Sequence, residues 1–242
     1  MSEIPPGLYR ERAASPPRPV ETVTFWLRTR SITGIGEVYN SKHRNVRRLT
    51  IQPKWIDKIV FSALSICPKF TQHHLQKWFP EWYLPRNIVL KTQKPNWENE
   101  FHAEIKFYRA LESLQGTYIP QYLGTTEFEG VRSHILSDVG GICMADIDED
   151  DESIAPAVEK LFRHTISTVA ALGHYQNDMR LDNFHLVGDR IVIVDLEQMG
   201  IFSPQLNLEG ITGFLVQKMK AIFSNYQQQM RESRDTSDLL DD

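Results

Sequence analysis

Two apolar runs, Phe184-His-Leu-Val187 and Ile191-Val-Ile-Val194, joined through Gly188-Asp189, constrain this chain most. Short β-branched runs around a glycine-containing turn predict a β-hairpin. Polar residues bracket the hairpin: Asp178-Met-Arg-Leu-Asp-Asn183 leads in and Asp195 leads out. A hairpin returns the chain to its starting point. The short loop therefore aims Asp178 and Asn183 into one cleft, and the second strand delivers Asp195 beside them. A carboxylate can orient or deprotonate a hydroxyl, and clustered side-chain oxygens suit a hard cation.

The rest of the chain reads as sheet first and helix later. Residues 21–50 hold two apolar stretches around Gly34-Ile-Gly36 and are expected to be extended. Residues 52–84 mix Trp55, Ile59, Leu64, Phe70, Leu75 and Trp78 at near-helical spacing, broken by Pro68 and Pro80. They predict one or two helices, or a helix and a strand. Ile88–Lys91 predicts a strand. Trp97–Leu114 predicts an amphipathic helix, with Phe101, Ile105, Tyr108 and Leu111 on one face and Gln115-Gly116 as its stop. Strands are expected at Tyr118–Leu123 and Val131–Val139, with a tight turn at Glu129-Gly130 and an end at Gly140-Gly141. The acidic run 146–152 predicts a solvated loop at a helix N-terminus. The helix itself is expected over Ile154–Leu172, closed by Gly173, and a last helix lies around Leu215–Tyr226. The fold class expected is α+β.

Bulk properties exclude several classes. A length of 242 residues suits one large domain or two small lobes, and 41% apolar with 24% charged residues is ordinary for a globular protein. A net charge of -4 and no basic stripe among aromatics argue against a nucleic-acid partner. Cys67 and Cys143 are too few and too scattered for a disulfide framework or zinc site, which predicts reduced thiols in a cytoplasmic or nuclear protein. No apolar run approaches the ~18 residues that span a bilayer, so no membrane partner is expected. Residues 1–20 read as a disordered leader without a signal-peptide core, and residues 231–242 as a frayed polar tail.

Four ordered stretches carry a family likeness: Leu114-Gln-Gly-Thr-Tyr-Ile-Pro120, Leu136-Ser-Asp-Val-Gly-Gly141, Leu181-Asp-Asn-Phe-His-Leu-Val187 and Val194-Asp-Leu-Glu197. From about Asn87 to Met199 the chain resembles the protein-kinase-like superfamily, and within it a group of fungal kinase-like proteins of unassigned function. The resemblance implies a two-lobed fold that binds ATP and magnesium. Its β-rich N-lobe would span 21–139, with one supporting helix and an insertion near 40–85. A truncated helical C-lobe would span 140–230. By the same resemblance Lys91 would hold phosphates, with Glu104 as its partner and Glu100 as the competing candidate. Ser137 and Val139 would receive adenine through their main chains. Asp178 would orient the acceptor hydroxyl, and Asn183 and Asp195 would hold magnesium. Arg180 would be either a cation near the transferred phosphate or a surface arginine paired with its acidic neighbours; Asp182 reads as a loop or capping residue.

The pattern also departs from the family. Gln176 stands where the family carries a loop-ordering histidine, and Asp195 is followed by Leu-Glu rather than Phe-Gly. No glycine-rich loop directly precedes Lys91; Gly34-Ile-Gly36 lies more than fifty residues upstream. The chain also lacks the A-P-E segment and has little room for helices that dock peptides. The expected activity is therefore phosphoryl transfer to a hydroxyl acceptor by an atypical protein kinase or small-molecule kinase. The alternative is a pseudokinase that binds nucleotide or a protein partner without catalysis.

Overall fold

Alternation of apolar and polar residues builds the first half of the chain. In Val20–Leu27 (β1), Val23, Phe25 and Leu27 turn inward while Thr22, Thr24 and Trp26 turn outward, the two-residue period of a strand with one buried face. A computed structural model of the chain describes residues 19–39, 43–66, 78–147, 154–202 and 207–238, with positions 68, 71, 74 and 75. Most of the expected leader, the acidic residues 148–152 and the last four residues lie outside the described residues. Their contacts divide the chain into two compact units, 19–101 with 120–138 and 102–119 with 139–238. The chain passes between the two units at 101–102, 119–120 and 138–139.

The first unit is an antiparallel sheet in the order β1-β2-β3-β4-β6-β5. Its other strands are Arg30–Val38 (β2), Val46–Ile51 (β3), Asn87–Thr92 (β4), Tyr122–Phe128 (β5) and Val131–Ser137 (β6). The sheet curls until β1 and β5, at opposite ends of that order, meet: the Thr126 hydroxyl donates to the Trp26 carbonyl. The curl encloses Val23, Phe25, Leu27, Ile32, Leu49, Ile88, Leu90, Phe128 and Ile135. Glu129 and Gly130 both have positive φ, 53° and 74°, the geometry of the two-residue turn that matches strand twist. The strand expected at Tyr118–Leu123 instead begins at Tyr122. Pro120, without an amide N–H, cannot supply a ladder bond there.

Gly34 and Gly36 are interior residues of β2, paired with Ile51 and Leu49 of β3. A Cβ on Gly36 would collide with the Arg48 carbonyl. Close strand approach accounts for this glycine, and Gly34-Ile-Gly36 is not a phosphate-covering loop.

Residues 40–85, expected as an insertion, contain β3, the helix Trp55–Ile66 (α1) and a 3-10 turn at Pro80–Trp82. A buried ionic knot fastens this segment to the β1–β2 turn. Arg30 is 6% exposed; its Nη2 pairs with Asp57 at 2.8 Å and its Nη1 donates to the Glu81 carbonyl at 2.6 Å. The guanidinium also lies over the Trp82 ring, 4.9 Å from its centre. Asp57 additionally accepts the Lys54 N–H at 2.8 Å, one half of a capping box at the start of α1. Thr29 donates to the Glu81 carboxylate at 2.8 Å.

The second unit packs helices on short strands. The helix Glu98–Ala110 (α2) crosses the unit boundary and continues through a 3-10 turn at Glu112–Leu114. Ile142–Cys143 (β7) pairs with Phe184–Val187 (β9), which pairs with Arg190–Ile193 (β10). His174–Gln176 (β8) pairs with Met199–Ile201 (β11). The helix Ile154–Ala170 (α3) buries Val158, Phe162, Ile166 and Val169 at three- and four-residue spacing. Phe162 meets Phe184 edge-on at 5.1 Å, and the Thr165 hydroxyl donates to the Ile191 carbonyl at 2.9 Å. The last helix, Leu208–Asp238 (α4), buries Leu215, Val216, Met219 and Phe223. It extends through residues 231–238, which composition alone assigns to a frayed tail. An antiparallel sheet segregated from helices makes the class α+β. Among the described residues, no helix is long and apolar enough to cross a membrane.

Glu159 on α3 accepts from Lys220 on α4 at 2.9 Å and pairs with Arg163 at 3.5 Å. The Lys220 hydrogen bond, which outweighs the opposing effect of burial, and the charges of Lys220 and Arg163 hold its carboxyl below the ordinary glutamate value. A depressed carboxyl stabilises the fold above its unfolded value and loses that contribution as pH falls through the folded one. Lys220→Ala is therefore expected to cost on the order of 0.3 kcal/mol at pH 7, because the pair is exposed. Urea titrations should show that difference shrinking as the pH drops below 4.5.

Candidate functional site

The expected hairpin forms, shifted by one residue at its second strand, so Asp195 lies two residues beyond β10. Val194 keeps the connection ordered by donating its N–H to the Asn183 carbonyl at 3.0 Å. The loop before β9 is anchored by buried Met179 and Leu181 and by a 3-10 turn at Leu181–Asn183. Apolar anchoring of a short loop leaves its polar side chains little freedom, the first requirement of a preorganised site.

Gln176 organises the rest. Its fully buried side chain donates from Nε2 to the Asp195 carbonyl at 2.6 Å, and its Oε1 accepts the Asp178 N–H at 3.3 Å. Asn183 Nδ2 then donates to the Asp178 carbonyl at 3.1 Å. One amide thus clamps the two carboxylate-bearing segments, and a second amide clamps the loop across its own width. Asn183 spends its nitrogen on this bond and is 4% exposed; its oxygen is the end that remains to serve a cation. The glutamine supplies the two-sided hydrogen bonding for which the family resemblance leads one to look for histidine.

The carboxylates converge from two directions. Asp195 Oδ1 accepts the Glu197 N–H at 2.9 Å, which sets the orientation of that carboxylate. Ligand atoms of Glu104, Asp195 and Glu197 all lie within 4.8 Å of one another, with Glu104 fully buried and the others half-buried. Trans ligands of an octahedral magnesium are about 4.2 Å apart, so the group has roughly the span of one coordination sphere. Hard oxygen donors of this kind fit magnesium, calcium or manganese and not a soft metal. Glu197 is the member that motif spacing missed: it occupies a position read only as a departure from the family pattern, and the signal for it is the carboxylate two residues after Asp195.

Arg180 is exposed and forms a two-pronged ion pair with Asp182, at 3.1 and 2.5 Å. That hydrogen bond, followed by the charges of Asp182, Asp178 and Asp195, raises the guanidinium above its ordinary value against an opposing contribution from burial. Arg180 thus pairs with Asp182, one of its acidic neighbours.

In the first unit, Lys91 is 6% exposed in β4. It is out of alternation with core residues Ile88 and Leu90, and its cross-strand partner on β6 is His134. His134 is itself buried, stacked 3.8 Å from the Phe101 ring, with its Nδ1 3.5 Å from the Tyr122 hydroxyl. This aromatic neighbourhood leaves no trace in motif spacing. Ser137 and Gln121 bond reciprocally: the Ser137 N–H donates to the Gln121 carbonyl at 2.9 Å, and the Gln121 N–H donates to the Ser137 hydroxyl at 2.8 Å. The Ser137 N–H is therefore committed within the sheet and is not a donor for adenine. Val139 lies just past the end of β6, half-buried.

No protein-family model matches the chain, and no curated protein matches it.

Proposed function

We propose that the chain is an ATP- and magnesium-dependent phosphotransferase of the protein-kinase-like superfamily, with a two-lobed fold and a truncated helical C-lobe, acting on a hydroxyl acceptor. One observation carries the reading. Gln176 and Asn183 tie Asp178, Asn183 and Asp195 into a single hydrogen-bonded frame within the unit that also gathers Glu104, Asp195 and Glu197. Phosphoryl transfer asks a protein chiefly for positioned charge and an oriented nucleophile. Asp178 would accept the hydrogen bond of the acceptor hydroxyl and aim its oxygen. Asn183 and Asp195, joined by Glu197, would hold magnesium, which neutralises phosphate charge when bound. Lys91 would contribute a point charge to phosphate oxygens, and the main chain near Ser137 and Val139 would receive adenine. Arg180 would reach a phosphate only by leaving Asp182.

That ion pair and the absence of a glycine loop at Gly34-Ile-Gly36 favour a second reading, a pseudokinase that binds nucleotide or scaffolds a protein. Thermal unfolding with magnesium and ATP, run beside an assay of ADP release, separates the two. Stabilisation with turnover supports the phosphotransferase. Stabilisation without turnover supports a nucleotide-binding pseudokinase, and no effect of nucleotide removes the ATP site from both readings and leaves only a scaffold.

Gln176 offers an internal check. Gln176→Leu leaves the buried Asp195 carbonyl and the Asp178 N–H without their partner, so urea unfolding should show a loss of about 1–3 kcal/mol. Turnover should fall about 100-fold through misplacement of Asp178 and Asp195. Gln176→His retains a donor and should keep more of both. Equal losses for the two variants would show that volume, not hydrogen bonding, matters at this position.

A further inference from the structure

Three tryptophans stand clear of the protein: Trp26, Trp55 and Trp78 are 63%, 73% and 69% exposed. The first unit gathers them at one end of the β1–β2 hairpin. Trp26 lies on the outer face of β1, opposite Ser31. Lys54 Nζ donates to the Ser31 carbonyl and hydroxyl at 3.0 and 3.1 Å, which fastens the start of α1, and with it Trp55, to that face. Arg28, in the hairpin turn, donates to the Trp78 carbonyl at 2.8 Å. Ile56, Ile59 and Phe79 extend the exposed apolar surface.

Charge on this segment is one-sided. Residues 52–86 carry Lys54, Lys58, Lys69, Lys77 and Arg86, and only two acids, Asp57 and Glu81. Both acids are 1% exposed and turn inward, Asp57 to Arg30 and Glu81 to Thr29. Among the described residues of this segment, the exposed side chains include Trp55, Ile56, Lys58, Ile59, Trp78, Phe79 and Arg86.

We propose that α1, the β1–β2 turn and Trp78-Phe79 form a peripheral docking surface for an anionic membrane. Indole rings favour the headgroup boundary, where the ring body leaves water and the N–H stays wet. Lys58 and Arg28 would meet lipid phosphates. Residues lining a peptide groove shield one another, whereas each of these tryptophans keeps more than 60% of its surface exposed. Projecting aromatics suit a soft interface that packs around them. The twelve residues of α1 are too few to cross a bilayer, yet a helix of that length can lie in the interface plane. The proposal is independent of the phosphotransferase reading.

The test is co-sedimentation of the full chain with phosphatidylcholine vesicles that contain or lack phosphatidylserine, with tryptophan emission recorded. Binding is expected only with phosphatidylserine, with a blue shift, and it should weaken at high salt. The double variant Trp55→Ala, Trp78→Ala should bind at least about tenfold more weakly, and Lys58→Glu about fivefold more weakly. Phe214→Ala, at a position 68% exposed in the other unit, should bind unchanged. All these positions are exposed, and matching thermal unfolding would verify that the variants are folded. No phosphatidylserine-dependent binding, or binding indifferent to the Trp55, Trp78 and Lys58 changes, overturns the proposal. Saturable binding of an acidic, aromatic-rich peptide without vesicle binding also overturns it and reassigns the surface to a protein partner.

Discussion

Asp195→Ala is expected to abolish magnesium-dependent ADP release while leaving the protein folded, and Asp178→Ala to reduce it by about 10²–10⁴-fold. The two side chains enter the hydrogen-bonded frame differently. Gln176 holds Asp195 through its main-chain carbonyl and Asp178 through its main-chain N–H. Removing either carboxylate therefore leaves the Gln176 clamp in place, and urea unfolding should shift little. The losses should also differ in kind. Asp195→Ala removes a carboxylate from the group with Glu104 and Glu197, so thermal stabilisation by magnesium and ATP should weaken along with turnover. Asp178→Ala should lose turnover with nucleotide stabilisation retained, because its proposed contact is with the acceptor. Full turnover by Asp195→Ala would sink the assignment of the site.

The largest effect on stability is expected at the ionic knot. Asp57→Ala should cost about 3–5 kcal/mol, the range for removing one partner of a buried ion pair. Arg30, 6% exposed, would keep the Glu81 carbonyl and the Trp82 face but lose the counter-charge of Asp57. The cap on the Lys54 N–H disappears in the same variant. Replacing both partners, Arg30→Met with Asp57→Leu, removes the stranded charge and should recover most of the loss, leaving about 1 kcal/mol for the missing cap. Urea unfolding of the full chain measures both. A double variant as unstable as Asp57→Ala would mean that the pair itself, and not the stranded charge, dominates.

Strong local periodicity made several elements legible. The stripe Val158, Phe162, Ile166 and Val169 placed α3 within two residues of its observed end, and the alternation of Val23, Phe25 and Leu27 belongs to a strand. Strands of two or three residues were not legible: β7, β8 and β11 are too short to express a period. The end of α4 is not legible for a related reason. Its apolar stripe stops near Phe223, while the helix continues to Asp238 on polar residues that carry no burial signal.

The sequence by itself determined the hairpin and the short loop that brackets it, because turn chemistry and alternating burial act between near neighbours. It therefore determined that Asp178, Asn183 and Asp195 come close together. Tertiary structure alone decided what orders them. Gln176 reaches across nineteen residues to Asp195, and Glu104 arrives from a helix far upstream. It alone also decided that Asp57 and Glu81 turn inward to Arg30 and Thr29, while Lys58, Trp55 and Trp78 stay exposed. Such pairings depend on chain returns set by the whole packed core, and no local pattern of residue types encodes which distant partner a buried polar group will find.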